Sequence, residues 1–493
     1  ATVASVVSIS VLVPFITAKL EKSSDDAKYF INTIFSFFSV MMILVSIVAY
    51  FLMPYLAPRI FPGVVDHTVL INMARILLLS PIFLGFSNFL ASITQVGKRF
   101  LVYALSPLVY NVGIIFGAIF LYPIFGIYGL AYGVVIGTIL HLGIQLPFVL
   151  KSGLFKYWPL NFDYALVKNV FHISIPRTIT LGMTQITTLV LVGMASLMHE
   201  GSISIFNFSQ NLQSVPLSII GVSYSLAAFP TLSKFIAKNQ NSEFLSHIVT
   251  AVRHIIFWSI PISVLFIILR AQIVRTIYGA GKFGWNGTQL TAAALAIFAV
   301  SVVAQSLVLV FIRGYYAEGN TRKSLYASII TGVLSIGLSY IFVKIFFNYD
   351  MFRYFIEHLF RVDDIAGTEI LMLSLGFSIA QIVNCIILWI WFEKKYKGFS
   401  TPLFKTLFQS FSASVIMGFV SYLGLNLLDN FVDINTVIGI FIQGFIAGIL
   451  GIISLVLILR LLKSSELDEV TSTLHKKFWK VRPIIPDTSV SDL

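Results

Sequence analysis

The sequence has a single cysteine and few charged residues. Cys385 lies in an apolar stretch, so a disulfide or a cysteine-based metal cluster within this chain is excluded. Asp, Glu, Lys and Arg make up only 11% of the 493 residues, whereas 57% are hydrophobic and the mean hydropathy is +0.91. Soluble globular proteins do not have such a composition. The chain is therefore predicted to be an all-α polytopic membrane protein.

The motifs of common enzyme classes are also missing from the sequence. Its eight histidines show no HExxH or other metal-binding spacing, and neither a GxSxG elbow nor a GxxxxGK[ST] phosphate loop occurs. The acidic pairs Asp25-Asp26 and Asp363-Asp364 lie in connections, where charged runs are usually solvated. We therefore expect no enzyme, no metal site and no cofactor.

Long apolar runs make up most of the chain. A bilayer is crossed by about 20 apolar residues, and by this criterion an incomplete run, Ala1–Ala18, precedes twelve complete spans. These spans are predicted at residues 29–57, 69–94, 101–122, 126–150, 168–198, 203–232, 248–270, 288–313, 324–347, 368–392, 403–428 and 436–462.

Two short patterns recur along the sequence. Pro14–Lys19 resembles Pro230–Lys234, and Arg99–Ala104 resembles Arg322–Ala327, at offsets of 216 and 223 residues. Each offset contains six spans. The repeat therefore predicts two six-helix lobes of the same topology, as in transporters built from parallel repeats.

The repeat also predicts the domain organisation. Because the first copy has less sequence in front of it than the second, we expect about 50 further residues before Ala1. They would form the first helix and half of the second, giving fourteen helices in the intact protein. The predicted parts are an incomplete first lobe at residues 1–160, a second lobe at 161–395, two extra helices at 396–462 and a tail at 463–493.

Basic residues are unevenly distributed between the connections. Those after even-numbered spans, with the C-terminal tail, hold 23 Lys and Arg, and those after odd-numbered spans hold 7. Cytoplasmic connections carry such an excess, so both ends of the intact chain are predicted to be cytoplasmic. This orientation also explains the net charge of +12 without a nucleic-acid partner.

Arg177 stands out because it follows Pro176 inside an apolar span. Charged side chains are expensive in hydrocarbon, so the guanidinium is expected to face a water-filled cavity or to extend toward the cytoplasmic headgroups. In a cavity it would suit bidentate contact with phosphate oxygens.

Several amide side chains accompany this arginine. Asn207, Gln210 and Asn211 have the i, i+3, i+4 spacing of one helix face, and Gln213 lies off that face. Gln185 comes eight residues after the arginine, on nearly the same face as it. Such amides either line a cavity or bond neighbouring helices. The candidate cavity residues are Arg177, Gln185, Asn207, Gln210 and Asn211, with Arg75 and Gln213 as secondary candidates.

Carboxylates are absent from the interior of every predicted span, and Glu369 and Glu393 lie only at the ends of one. Proton and sodium coupling usually depend on buried carboxylates. A coupling cation would therefore need backbone carbonyls and hydroxyls, or a carboxylate in the segment expected before Ala1.

Ordered motifs occur along nearly the whole chain, most densely between about residues 70 and 335. They are Pro176-Arg177 with Gly182 and Gln185-Ile186, Gly201-Ser202-Ile203-Ser204, Gln210–Leu217, Phe229–Ser233, Ile273–Arg275 with Gly279–Phe283, and Arg313–Ala317 with Thr321-Arg322. Together they resemble the MurJ (MviN) lipid II flippase family of the MOP superfamily.

The resemblance implies a fourteen-helix flippase whose central cavity carries basic residues and opens alternately to either side. It implies lipid II, or a similar polyprenyl-diphosphate lipid, as cargo, with membrane lipids around a monomer and a coupling cation as a further candidate partner. The family's cavity arginines of the first and second helices would precede Ala1, and Asn211 takes the place of the cavity arginine that is common in the second lobe's second helix. Arg177 is therefore the best basic candidate in this chain.

Three functions are consistent with these observations. The first is translocation of lipid II to the outer leaflet of the bacterial inner membrane for peptidoglycan synthesis. The second is export of another polyprenyl-diphosphate glycan or a small amphiphile by a related MOP transporter. The third is a membrane scaffold that transports nothing.

Overall fold

The protein is all-helical in the computed structural model, which describes residues 9–97, 99–155, 163–281, 283–433 and 436–478. Within these residues, eleven helices are long and apolar enough to cross a membrane, and they coincide with eleven of the twelve predicted spans. The other prediction, residues 168–198, coincides with helix Tyr164–Ala195, whose described apolar part is Gly182–Ala195. The all-α polytopic fold class is confirmed, and the count of fourteen helices stays a prediction.

The chain divides into two compact units. The first comprises Ala1–Glu200 and Thr321–Val333, and the second comprises Gly201–Asn320 and Leu334–Leu493. The first unit contains α1 (Ile9–Lys22), α2 (Ser24–Ile60), α3 (His67–Leu77), α4 (Leu79–Val96), α5 (Phe100–Phe116), α6 (Tyr122–Phe125), α7 (Ile127–Gly143), α8 (Leu146–Lys151) and α9 (Tyr164–Ala195).

The second unit contains α10 (Ser202–Pro216), α11 (Ser223–Ala237), α12 (Asn241–Ile268), α13 (Arg270–Tyr278), α14 (Trp285–Ala317), α16 (Asp350–Phe360), α17 (Ile370–Lys395), α18 (Thr401–Leu428), α19 (Val437–Leu461) and α20 (Ser465–Phe478). Helix α15 (Thr321–Asn348) is divided between the units after Val333. Helix α9, which opens the predicted second lobe, contacts α1 and α2 and is grouped with the first unit. The lobe plan itself concerns repeat topology, and it stays a prediction.

Polar caps fix where several helices begin. Ser23 accepts a hydrogen bond from the backbone N of Asp25 at the start of α2, and Asp66 accepts one from Val69 N at the start of α3. Asp163 does the same for α9 and Thr436 for α19. Each cap satisfies an amide that the first helical turn leaves without a partner.

Glycines bring α5 and α7 into close contact in the first unit. A Cβ atom added at Gly113 would lie 2.3 Å from the Cα of Gly137, and one at Gly133 would lie 2.6 Å from the Cα of Gly117. The spacing of four between Gly113 and Gly117, and between Gly133 and Gly137, places these glycines on facing sides. Small residues allow this backbone approach, which supplies van der Waals packing between membrane helices.

Helix α14 lies at the centre of the second unit. Its most apolar stretch is 78% buried, the highest fraction among the candidate spans of the described chain. It contacts α10, α11, α12, α13 and α17. Fully buried Phe298 and Phe311 pack edge-to-face with rings of α17 and its flanks, including Phe377 and Phe399. This helix is therefore the framework that positions the polar side chains of α10.

Among the residues that the structure describes, two long helical segments contain a π-turn. One is Gly117–Leu121, after α5, and the other is Leu217–Val222, which follows Pro216 and joins α10 to α11 without a loop. Proline lacks the amide hydrogen of a regular helix, so a disturbed hydrogen-bond pattern around Pro216 is expected. π-turns are often found at functional sites, and this one lies directly after the amide-rich stretch.

Candidate substrate-path residues and buried polar clusters

The amide residues of α10 fall on two sides of the helix. Asn207 and Gln210 are half-buried and Asn211 is exposed, whereas Gln213 is only 3% exposed. The shared face predicted for Asn207, Gln210 and Asn211 is therefore the more open side of this helix. An open face of amide side chains within the membrane can form hydrogen bonds with polar cargo.

Gln213 bonds to the central helix instead. The side-chain nitrogen of Gln305 in α14 donates to the side-chain oxygen of Gln213 at 3.1 Å and to the hydroxyl of Ser301 at 2.9 Å. Helix-to-helix bonding was one of the two roles considered for the amides, and this residue has it. The bond fixes the rotation of α10 against α14 and so helps to aim the open amide face.

The remaining candidates lie in the first unit. Arg177 belongs to helix α9, but its side chain lies outside the described residues. Gln185, two turns later on α9, has an exposed side chain. Arg75 of α3 is half-buried, with its Nε 3.4 Å from the carbonyl oxygen of Tyr50 and its guanidinium carbon 4.5 Å from the Tyr50 ring centre. Arg75 is therefore engaged with α2.

A buried ion pair that was not predicted attaches α20 to α12. Arg253 of α12 contacts Glu466 of α20, with Nη2 and Oε1 2.8 Å apart, and the Glu466 side chain is 1% exposed. Burial alone would raise the pKa of Glu466, but hydrogen bonds from Thr406, its own backbone amide, Arg253 and Ser464 lower that pKa to about 2. Glu466 is therefore ionised at neutral pH. The two partners are 213 residues apart in sequence, so no local pattern could have revealed the pair.

A second polar cluster connects α14 to α17. Glu318, whose side chain is 6% exposed, lies 2.5 Å from the Lys395 ammonium and accepts a hydrogen bond from the hydroxyl of Tyr396. Burial and the neighbouring Glu318 carboxylate raise the pKa of Tyr396, so the phenol stays protonated and remains a donor. Paired in this way, the carboxylate stabilises one end of the unit.

The first unit holds a buried histidine cluster between α4 and α7. The hydroxyl of Ser87 lies 2.6 Å from Nδ1 of His141, and the side-chain nitrogen of Gln145 donates to the same hydroxyl at 2.7 Å. Within the described residues, no group of His, Cys, Asp and Glu side chains could hold a metal ion. We interpret the cluster as polar packing between helices, in which the Gln145 Oε1 atom is buried without a hydrogen-bond partner among the described residues.

Comparisons with known proteins agree on one family. The model of the family described as lipid II flippase MurJ matches residues 8–442. The lipid II flippase MurJ of Burkholderia cenocepacia is 24% identical over 281 residues, which cover 56% of this chain and 54% of that protein. The chain thus spans about half the length of this relative.

Solved structures share the fold. A lipid II flippase MurJ in an inward closed conformation gives a TM-score of 0.70 at 24% identity, covering 96% of this chain and 88% of that one. An inward-facing multidrug resistance MATE family transporter of the MOP superfamily gives 0.64 at 14% identity, with 81% of this chain and 88% of that one covered. The chain therefore shares the helical fold of these two structures.

Proposed function

The chain belongs to the lipid II flippase MurJ family, and from this premise we propose that it carries lipid II from the cytoplasmic to the external leaflet of a bacterial inner membrane. The observation that carries the proposal is the family match over residues 8–442. The all-helical fold and its MOP-type neighbours support a transporter. We propose that the protein acts without chemical catalysis and as a monomer.

The open face of α10 supports a polar path for the headgroup. We assign Asn207, Gln210 and Asn211 to this path because their side chains are not used up in packing against α14, unlike Gln213. Amides suit a glycan headgroup, since each offers both hydrogen-bond donors and acceptors. We assign Gln185 and Arg177 of α9 to the same path, with Arg177 contacting the diphosphate.

Alternating access is the proposed mechanism of transport. The proposed moving parts are a first lobe at residues 1–160 and a second lobe at 161–395, with two further helices at 396–462 and a cytoplasmic tail at 463–493. Repeat-built carriers commonly expose one central site to each side in turn by rigid-body rocking. The basic connections support a cytoplasmic C-terminus.

The test is transport by the purified full chain in liposomes that contain lipid II labelled on its headgroup. We expect the protein to move label between leaflets, detected by quenching with a membrane-impermeant reagent, well above the rate in protein-free liposomes. A second cargo, another polyprenyl-diphosphate glycan with the same label, serves as the control for specificity. If lipid II moves no faster than in empty liposomes, or only the second glycan moves, the proposed cargo is wrong.

A further inference from the structure

A cavity in the second unit carries two arginines. It has a volume of about 440 Å³ and lies where α12 gives way to α13, beside the start of α14, the end of α16 and part of α18. Five of its lining residues carry side-chain N–H donors. They are Arg270, Gln272, Trp285, Gln289 and Arg361.

Neither arginine of this cavity is neutralised within the described residues. Arg270 donates from Nη1 to the carbonyl oxygen of Ile267 at 3.0 Å, and Arg361 lies within hydrogen-bonding reach of Tyr422, but neither arginine forms an ion pair within the described residues. Both guanidinium groups line this one cavity, so their like charges repel each other. By contrast, Arg353 of α16 pairs with Asp350 at 3.1 Å. Two crowded cations without a counter-charge make this cavity a favourable place for an anion.

Arg361 has a left-handed backbone conformation, which is more common for glycine or asparagine. It follows the last residue of α16 with φ 58° and ψ 50°, in the left-handed region that glycine or asparagine usually fills at a helix end. A non-glycine residue there carries some backbone strain. The residue at this position is one of those that line the cavity.

An apolar groove adjoins the cavity. It has a volume of about 300 Å³ and lies between α13 and α19, with Ile273, Ile277, Phe441 and Phe445 among its lining residues. Gln272 lines both spaces, so the cationic cavity and the apolar groove are neighbours. A phosphate-bearing headgroup attached to a hydrocarbon chain needs this combination of donors and apolar surface.

We propose that the cavity and groove together bind one phospholipid with an anionic headgroup. Its phosphate contacts Arg270 and Arg361, and one acyl chain lies against α13 and α19. A guanidinium binds phosphate oxygens through two parallel N–H bonds, so two arginines hold a phosphodiester more tightly than a zwitterionic headgroup that carries its own cation. The site lies within one unit and does not depend on the proposed transport of lipid II.

The experiment is native mass spectrometry of the full chain in detergent, titrated with phosphatidylglycerol, phosphatidylcholine or inorganic phosphate. We expect the wild-type protein to retain phosphatidylglycerol in preference to phosphatidylcholine. Arg270→Gln and Arg361→Gly should each weaken phosphatidylglycerol binding about tenfold, the effect of losing one charge-assisted contact. Glycine suits the backbone at residue 361, so this variant loses the guanidinium without straining the fold.

Two further variants make the result specific. Arg353→Gln, which removes a paired arginine of α16, should bind phosphatidylglycerol like the wild type. Thr276→Trp fills the groove and should weaken lipid binding while leaving the arginines intact. Equal retention of both lipids, or wild-type binding by the Arg270→Gln/Arg361→Gly double variant, overturns the site. The lipid assignment is supported if inorganic phosphate displaces no lipid. It is overturned if the protein binds phosphate strongly and Thr276→Trp still binds lipid like the wild type, because the site would then take a free anion.

Discussion

At the scale of single residues, the clearest prediction concerns contact between Arg177 and the diphosphate of the cargo. If its guanidinium meets the diphosphate, charge and fork geometry both matter. Arg177→Lys should therefore reduce rescue of cells depleted of their own flippase, and Arg177→Ala should reduce it further, at unchanged membrane levels of both variants. The measurement is growth together with immunoblotting of membranes.

The matched control for this experiment is Arg75→Ala. Arg75 is occupied by the ring and carbonyl of Tyr50, so we expect a smaller loss of rescue there. Full rescue by Arg177→Ala would mean that Arg177 only extends toward the lipid headgroups.

Glu466 predicts an acid-sensitive contact. Its pKa is lowered from 4.5 to about 2 in the folded protein, so its stabilising contribution is complete above about pH 4.5 and is lost as the pH falls toward 2. The shift corresponds to on the order of 3 kcal/mol. Glu466→Gln should lower the melting temperature at pH 7, because it leaves the Arg253 charge without its partner. The variant should also lose less stability than the wild type when the pH is lowered from 5 to 3, since it has no carboxylate at this position to protonate.

The control is Glu469→Gln, one turn along α20. That carboxylate is 52% exposed and lies 3.1 Å from His254, and exposed pairs contribute little. If Glu469→Gln lowers the melting temperature as much as Glu466→Gln does, the stability of the protein depends on the general packing of α20 and not on the buried ion pair.

At the scale of helices, the glycine contact between α5 and α7 tolerates no side chain. Gly133→Ala should lower the melting temperature, because its Cβ would meet the backbone of Gly117 at 2.6 Å, and overpacking costs about 1–3 kcal/mol. Gly143→Ala is the control on the same helix, since nothing lies within 4 Å of an added Cβ there. Comparison of the two thermal unfolding curves in detergent tests the contact, and equal curves would contradict it.

The helices that could be predicted from the sequence are those that consist of a long apolar run. The span predicted at 288–313 coincides with α14, because an uninterrupted apolar stretch has no other stable place than a membrane or a core. Helices α13 and α16 lie between the predicted spans. Apolar length does not reveal them, because they are too short to cross a membrane.

The candidate site was predictable only in part, for a related reason. The spacing of Asn207, Gln210 and Asn211 identifies a shared face without any tertiary information. The role of Gln213 depends on Gln305, which is 92 residues away. Partners so distant in sequence leave no periodic signal, so the choice between packing and path required the structure.

At the scale of the whole molecule, the orientation in the membrane is a prediction from charge alone, and it can be tested directly. The excess of basic residues predicts that residues 95–100, 151–160 and 393–402 are cytoplasmic. Single cysteines introduced there, in a background where Cys385 is replaced by Ser, should react with a membrane-impermeant maleimide only after the cells are opened. Labelling in intact cells would overturn both the orientation and the cytoplasmic C-terminus.

The energy source is the second prediction at this scale. Lipid II headgroups carry negative charge, and an inside-negative membrane potential favours their outward movement by about 2.3 kcal/mol per charge per 100 mV. Because the predicted spans contain no internal carboxylate, we expect an imposed potential alone to accelerate flipping in liposomes. Flipping that ignores the potential but follows an imposed proton or sodium gradient would assign the coupling to a cation instead.

The π-turn at Leu217–Val222 has a consequence for the phase of the helix it interrupts. One additional residue rotates everything after it by about 100° relative to an uninterrupted α-helix. Without that offset, Tyr224, Ala227 and Thr231 would continue the side of α10 on which Gln213 meets α14. With it, the residues that follow on this side are Ser225, Ala228 and Leu232, and these three are the buried ones in α11.

The offset therefore keeps the buried side of α11 in line with the side of α10 that bonds to α14, while the amide face of α10 is not extended into α11. Its counterpart in α11 begins at Leu226, which is 50% exposed and apolar. The helix therefore keeps one buried side through the π-turn, although its open side changes from amide residues in α10 to an apolar residue at the start of α11.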